Sequence, residues 1–546
     1  MVTTTPSPAA APMTHRRRLL VFGGLMLAGL MSSLDATVLG TALPAIVGDL
    51  GGLGRIGWVS TAYVLATSVT VPLSGRLGDL FGRRPVLLTG LLGFLAGSAA
   101  CGAAPDMTWL IVFRAVQGAA AGCLMSSMFA LTGELFEPRE RARYQGYSAA
   151  IFAVSSIAGP LAGGFLTDHA SWRWVFYLNL PLGLAATATI MLFLRLPKPR
   201  SRLRIDYPGI VLLGSAVTCF TLVTSWAGTR YAWTSPVVLG LAAAAAVLFA
   251  VWVLAERTAA EPVIPPRLFR DRSFSVACAV AAAGGATGFG LATYLPMFFQ
   301  VVKGVDATRS GLLLLPMMIA LLAASAAAGR RIHRTGRYHR LPAAGMAVSA
   351  AGVALLATMD TGTGPFTAGC FMAVLGFGAG LSQQVVVLIA QNAAPPGDIG
   401  AAGSGVFATR MLGTAAGMAV FGSIVSQRFA EEVVRRVPDG RAPDYADAVR
   451  PEVLGTLPAP VRDGVAEAFA DAFSTLFVVA LPVLAAGLAA ALLLRHVPWH
   501  RADPRSPRRT SRRRARRHGR AARSERGCSA PASSAGATRT PSRWRR

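Results

Sequence analysis

Two charged residues stand where a charge is strongly disfavoured. Asp35 falls inside the apolar stretch 19–40 and Arg114 inside 108–131. Each stretch reaches the roughly 20 residues needed to cross a bilayer core. At such depth an ionised side chain costs at least about 2.5–3.5 kcal/mol on insertion scales, so it needs a partner or a task. Counting 1.5 Å per residue, Asp35 sits roughly 8 Å from the end of its span near Gly40, and Arg114 about 9 Å into its own. A guanidinium favours the charged form of a neighbouring carboxyl, while burial favours the neutral acid. Balanced between the two, Asp35 can load and release a proton, or hold a cationic group, with Arg114 tuning it. A static ion pair that fixes helix packing is the competing reading. Arg114 organising the polar groups of its neighbours alone is another.

The elements that must position these residues are membrane spans. The chain is 53% hydrophobic and 14% charged with a mean hydropathy of +0.49, which excludes an ordinary soluble domain and a disordered one. About fourteen apolar windows lie between residues 19 and 496, so the expected fold is an all-α polytopic membrane protein. Arg/Lys-rich loops follow the even-numbered windows, for example Arg83/Arg84 and Arg139 through Arg143. By the positive-inside rule these loops and both termini face the cytoplasm. The net charge of +27 is concentrated at one end, since 501–546 holds sixteen Arg against Asp503 and Glu525. That stretch reads as a disordered basic tail able to meet anionic lipid, and without an aromatic–basic platform it does not indicate nucleic acid. The six cysteines have no metal-ligand spacing, so no metal site is expected.

A repeat is visible at an offset of 254 residues: Gly75–Arg83 recurs in degraded form at Gly329–Arg337, and Gly159–Gly163 faces Gly413–Gly417. Two matches at one offset point to duplicated halves in the same orientation. The implied organisation is a cytoplasmic arm 1–18, a six-helix bundle 19–196, two inserted spans 205–256, a second six-helix bundle 273–496 and a tail 497–546. The second bundle includes a long outside loop, 427–471, whose amphipathic stretch Val461–Phe473 is expected on the membrane surface.

These motifs resemble the major facilitator superfamily, in its fourteen-span drug:proton antiporter branch of the EmrB/QacA type, over about Leu19 to Leu494. The resemblance rests on Gly75-Arg-Leu-Gly-Asp-Leu-Phe-Gly-Arg-Arg-Pro85, on Leu110-Ile-Val-Phe-Arg-Ala-Val-Gln-Gly118, and on Ser155-Ser-Ile-Ala-Gly-Pro-Leu-Ala-Gly-Gly164, with Ser155 where a glycine is usual. Leu34–Pro44 is similar to the branch's first-span motif, with Gly40 in place of an asparagine, and Trp172–Pro181 also fits. The resemblance implies a monomeric transporter of the cytoplasmic membrane. It would export small amphipathic drugs or antibiotics against protons, with the proton gradient as energy source and no cofactor.

Within that frame Gly75 and Gly82 allow close approach and a tight turn. Asp79 suits a neighbouring helix N-terminus, and Arg83 can clasp Glu134 as a gate, with Arg84 beside it. Arg83 and Arg84 serving only to orient the chain is the alternative. In the fifth span Ser155, Gly159, Pro160, Gly163 and Gly164 form a small-residue face, which the resemblance makes the sliding seam between halves and the mark of an exporter; plain helix packing is the alternative. Candidate cavity residues are Gln117, Tyr294, Gln300, Gln383, Gln384, Gln391, Asn392 and Arg410. Each alone is more often an interhelical hydrogen bond. A facilitator or importer of a polar metabolite is the second functional reading. A membrane enzyme, channel or ATP-driven pump finds no nucleophile–base pair, pore ring or phosphate loop to support it.

Overall fold

In a computed structural model, the described residues are 14–51, 55–136, 138–196, 206–228, 231–259, 262, 264–305, 307–395, 398–437 and 457–494. The N-terminal arm through residue 13 and the basic tail lie outside them. The first half comprises α1 (His15–Leu50), α2 (Ile56–Phe81), α3 (Arg83–Gly102), α4 (Met107–Leu135), α5 (Pro138–His169), α6 (Arg173–Tyr177) and α7 (Asn179–Phe193). A hairpin of α8 (Tyr207–Trp226) and α9 (Pro236–Thr258) follows, and α10 (Pro266–Arg270) leads into the second half. There α11 (Arg272–Gly284) passes through a π-helical turn, Gly285–Phe289, into α12 (Gly290–Lys303). The remaining elements are α13 (Ala307–Leu312), α14 (Leu315–Thr335), α15 (Leu341–Leu356), α16 (Pro365–Ala393), α17 (Ile399–Arg436) and α18 (Ala459–Leu492).

Helices form because apolar sequence in lipid must satisfy its backbone internally. Polar side chains inside them turn back on their own carbonyls, as Thr67 does on Tyr63 O at 2.8 Å and Thr132 on Met128 O at 2.7 Å. Asp106, Asp206, Ser235 and Asp271 accept from first-turn N–H groups of α4, α8, α9 and α11, the usual satisfaction of those free donors. Among the described residues, ten helices are long and apolar enough to cross a membrane by length and composition. Three further rods, α2, α5 and α11–α12 with its π turn, pack among these helices without being counted with them. A fourth, α15, is only 16 residues long.

The two halves repeat one packing scheme. In the first, α1 packs on α5 and α7, α2 on α4, and α3 on α4 and α7; in the second, α11 packs on α17 and α18, α14 on α16, and α15 on α16 and α18. The close contacts repeat as well. A Cβ on Gly118 or Gly122 of α4 would overlap the α2 backbone at Tyr63 or Thr67, and one on Gly376 or Gly380 of α16 would overlap α14 at Met317 or Leu321. The turn glycines of the duplicated motif, Gly82 (φ 97°) and Gly336 (φ 69°), both adopt positive φ, which glycine tolerates without strain. Between the halves run two equivalent seams, α5 against α14 and α2 against α17.

Two expectations are corrected. Span 1 does not end near Gly40: α1 runs on to Leu50, because Ala42 and Ile46 continue its buried face. The two described ends of the expected outside loop 427–471 are helical, since α17 extends to Arg436 and α18 begins at Ala459. Val461–Phe473 is therefore the first part of α18, with Val465, Phe469 and Phe473 buried and Phe429 of α17 4.4 Å from the Phe469 ring. The apolar face expected to meet lipid headgroups instead meets α17.

The close approach of α4 to α2 has a measurable consequence. Gly118→Val forces the two backbones apart and is expected to lose about 1–3 kcal/mol or more, read as a lowered melting temperature of the purified protein in detergent. Gly23→Val, where an added Cβ meets nothing within 4 Å, is the control and should melt close to wild type.

Candidate functional site

Asp35 and Arg114 meet inside the first half. Arg114 Nη1 donates to Asp35 Oδ2 at 2.6 Å, and the residues are 2% and 1% exposed. The other carboxylate oxygen accepts from Gln117 Nε2 and from Asn179 Nδ2, each at 2.9 Å. Both amides also donate to Ser98 Oγ, at 2.9 and 2.8 Å, and Ser98 donates to Phe176 O. Arg114 further reaches Gln117 Oε1 at 2.8 Å and Val59 O at 3.3 Å, and lies 4.2 Å over the Tyr63 ring. The carboxylate is thus surrounded by donors from α4 and α7, with α2 and α3 completing the shell. Gln117, expected in the cavity, belongs to this network. The network sits among α1, α2, α3, α4 and α7 within one half, not at either seam.

The Arg83 loop makes the second cluster. Arg83 Nε donates to Glu134 Oε1 at 2.9 Å and Nη1 to Gly75 O at 3.0 Å. Its guanidinium lies against Gly400, where a Cβ would collide with it, and a Cβ on Gly75 would collide with Ser404. Gly400 and Ser404 belong to α17, so the clasp joins the halves as well as α3 and α4. Gln391 Nε2 adds a bond to Phe129 O at 3.1 Å, from α16 to α4. Asp398, at the start of α17, takes two bonds from Arg267, each 3.1 Å. The halves are closed at this end. Arg84 donates to Met191 O, and the Asp79 side chain lies outside the described residues, as does that of Pro160.

The glycine face of α5 points elsewhere than expected. Gly159 abuts Thr37 and Gly163 abuts Thr41 and Val38 O, all on α1, and Thr37 donates to Ser155 O at 2.9 Å. In the second half Gly413 and Gly417 abut Ala282 and Ala286 in the same way. These faces close the contact between two helices of one half, because the glycines look toward α1 while the α14 side of α5 carries the seam. A Cβ on Gly164 would meet nothing within 4 Å.

The remaining candidates do not gather into one site. Tyr294 donates to Met418 O at 2.6 Å, Gln300 to Ser310 Oγ, and Asn392 to Tyr338 Oη. Burial raises the Tyr338 phenol, which lies between α14 and α15, above its ordinary range. Gln384 points between α14 and α16 near Ser325 and Gly380, whereas Gln383 lies beside Gly288 of the π turn. Arg410 is buried on α17 with its guanidinium 4.8 Å over the Phe407 ring. Sequence reasoning missed Asn179 and Ser98 as members of the Asp35 shell. The available signal was an asparagine within an apolar span, the same signal that marked Gln117.

A model of the Major Facilitator Superfamily matches residues 25–418. The chain is 39% identical over 470 residues to an uncharacterized MFS-type transporter of Mycobacterium tuberculosis (strain ATCC 25618 / H37Rv), covering 86% of this chain and 68% of the relative. It is 37% identical over 412 residues to the multidrug transporter protein MdtP of Bacillus subtilis (strain 168), covering 76% of each. In fold it is similar to the crystal structure of the human organic anion transporter TETRAN, with a TM-score of 0.58 at 16% identity over 86% of this chain and 99% of the other.

The Asp35 network yields a thermodynamic cycle. Asp35→Asn leaves a buried guanidinium uncompensated and Arg114→Gln a buried carboxylate, each expected to destabilise by about 3–5 kcal/mol. The double variant should lose clearly less than the sum of the two, as chemical denaturation of the purified protein can measure. Strict additivity would mean that the pair is not coupled.

Proposed function

The chain belongs to the Major Facilitator Superfamily, and from that premise we propose that it is a proton-coupled exporter of lipophilic and amphipathic compounds. The observation that carries this reading is Asp35, a carboxylate held by Arg114, Gln117 and Asn179 deep in an apolar bundle. Relatives named multidrug transporter or efflux pump support it. Taking α2, α5, α11–α12 and α15 as spans beside the ten apolar helices supports a fourteen-span reading. The basic loops favour a cytoplasmic side for the Arg83 end and both termini.

On this reading the structure is the state closed to the cytoplasm. A proton arriving from outside neutralises Asp35 and releases Arg114, which keeps Gln117, the Val59 carbonyl and the Tyr63 and Phe176 rings. The helices that share the network then rotate, the Arg83–Glu134 clasp leaves α17, and the two seams rock the halves open to the cytoplasm. Substrate enters as the proton leaves, and restored pairing at Asp35 favours the outward state again. One proton supplies about 1.4 kcal/mol per pH unit and about 2.3 kcal/mol per 100 mV, comparable to the roughly 3–5 kcal/mol needed to break a buried pair. A facilitator would not need this device.

Everted membrane vesicles given a fluorescent amphipathic dye in the medium separate the two. Wild type is expected to accumulate dye only with an imposed pH gradient, and Asp35→Asn to lose that dependence while inserting normally. Gradient-driven transport by Asp35→Asn would remove Asp35 from the mechanism. The clasp is tested independently: Glu134→Gln should raise labelling of a cysteine placed at Ser404 by an impermeant maleimide from the cytoplasmic face, at least several-fold.

A further inference from the structure

The second half holds a buried cation that the proton mechanism does not use. Arg410 lies eleven residues into α17, about 16 Å at 1.5 Å per residue, near the middle of a core about 30 Å thick. It is 8% exposed, its Nε is buried with no hydrogen-bond partner among the described residues, and no carboxylate there pairs with it. Asp35 cannot serve, because Arg114, Gln117 and Asn179 already occupy its oxygens. The Phe407 ring, 4.8 Å from the guanidinium, recovers only part of what is lost when a cation leaves water. A ligand of opposite charge would offset the rest.

The surroundings say what kind. Beside Arg410 the helix α11–α12 opens into its π turn, a form concentrated at functional sites. Only a glycine at 285 lets the Arg410 backbone and Cγ approach that turn, and Gln383 meets the same turn at Gly288. Phe407 touches Phe129 of α4 across the halves, with ring centroids 5.3 Å apart. A planar cation, a neutral amide one turn away and an aromatic wall shared by both halves are therefore grouped at mid-depth. A guanidinium recognises a carboxylate or sulfonate through two parallel bonds, and the aromatic wall accepts an apolar body.

We propose that Arg410 is an anion-recognition site and that the compounds carried include lipophilic organic anions, seated with the acidic group on Arg410 and the apolar body against Phe407 and Phe129. This rests on the chain being a carrier of amphipathic molecules, and it does not need the proton step. Binding such an anion would neutralise the charge in this half, as Asp35 neutralises Arg114 in the other.

The test is equilibrium binding to the full chain in lipid nanodiscs, read by energy transfer from tryptophan to a dansyl-labelled fatty acid and to its primary amide, with empty nanodiscs subtracted. The two probes share a body and differ in charge. Wild type is expected to bind the acid at least about tenfold more tightly than the amide, a difference of about 1.4 kcal/mol. In Arg410→Gln the two affinities should converge through loss of acid binding, and Arg410→Lys should retain part of the preference. Equal affinities in wild type would overturn the proposal without any variant. So would an Arg410→Gln protein that still prefers the acid, or one that loses both probes alike while melting like wild type. Should Arg410→Gln fail to fold, the wild-type comparison and Arg410→Lys decide. Vesicles that show no gradient-driven efflux would refute proton coupling while leaving this result standing.

Discussion

One constraint organises the first half: an ionised carboxylate cannot remain inside an apolar bundle unless its lone pairs are met. Asp35 has two oxygens, and the fold brings a guanidinium and two amides to them from α4 and α7. Each partner fixes the rotation of its helix about its own axis. Ser98 ties α3 to both amides, and Val59 and Tyr63 tie α2 to the guanidinium. The proposed proton coupling draws on this arrangement, since all of these helices meet at the one charged point.

The halves share a scaffold and differ in what it holds. Glycines at matching places bring α4 onto α2 and α16 onto α14, and others bring α5 onto α1 and α17 onto α11. In lipid there is little hydrophobic drive between helices, so such backbone approach supplies much of the adhesion. It also leaves the outer faces of α5 and α17 for the seams with α14 and α2. The polar content has diverged: the first half encloses a compensated pair, whereas the second presents an arginine with an aromatic ring. The division suits a carrier in which one half responds to a small ion and the other contributes recognition of a larger one.

Much of this was legible in the chain. Asp35 and Arg114 stood out because a charge in lipid is disfavoured residue by residue, so its presence signals a function or a partner locally. Their matching depths suggested contact, even though α1 runs ten residues past the end expected for it. The duplicated motif announced two halves, and Gly82 and Gly336 both take the turn that glycine permits. Arg83 and Glu134 were likewise readable as opposite charges at one end of neighbouring spans.

Other features depend on how helices are rotated, and no local signature records that. The small residues of α5 specify that some helix comes close; only the packed bundle makes it α1 rather than a helix across the seam. Val461–Phe473 carries an amphipathic pattern that fits a membrane surface as well as a neighbouring helix, and Phe429 and Phe469 decide for the neighbour. Asn179 and Ser98 are neutral and only weakly disfavoured in a span, so the signal they carry is faint beside that of a charge, and it gains meaning only with Asp35 next to them. Sequence alone determined the charges and the duplication, because each is written into composition and spacing. Tertiary structure decided which donors complete the carboxylate and which face meets which half, because those depend on relative helix rotation, a property of the packed bundle and not of any one segment.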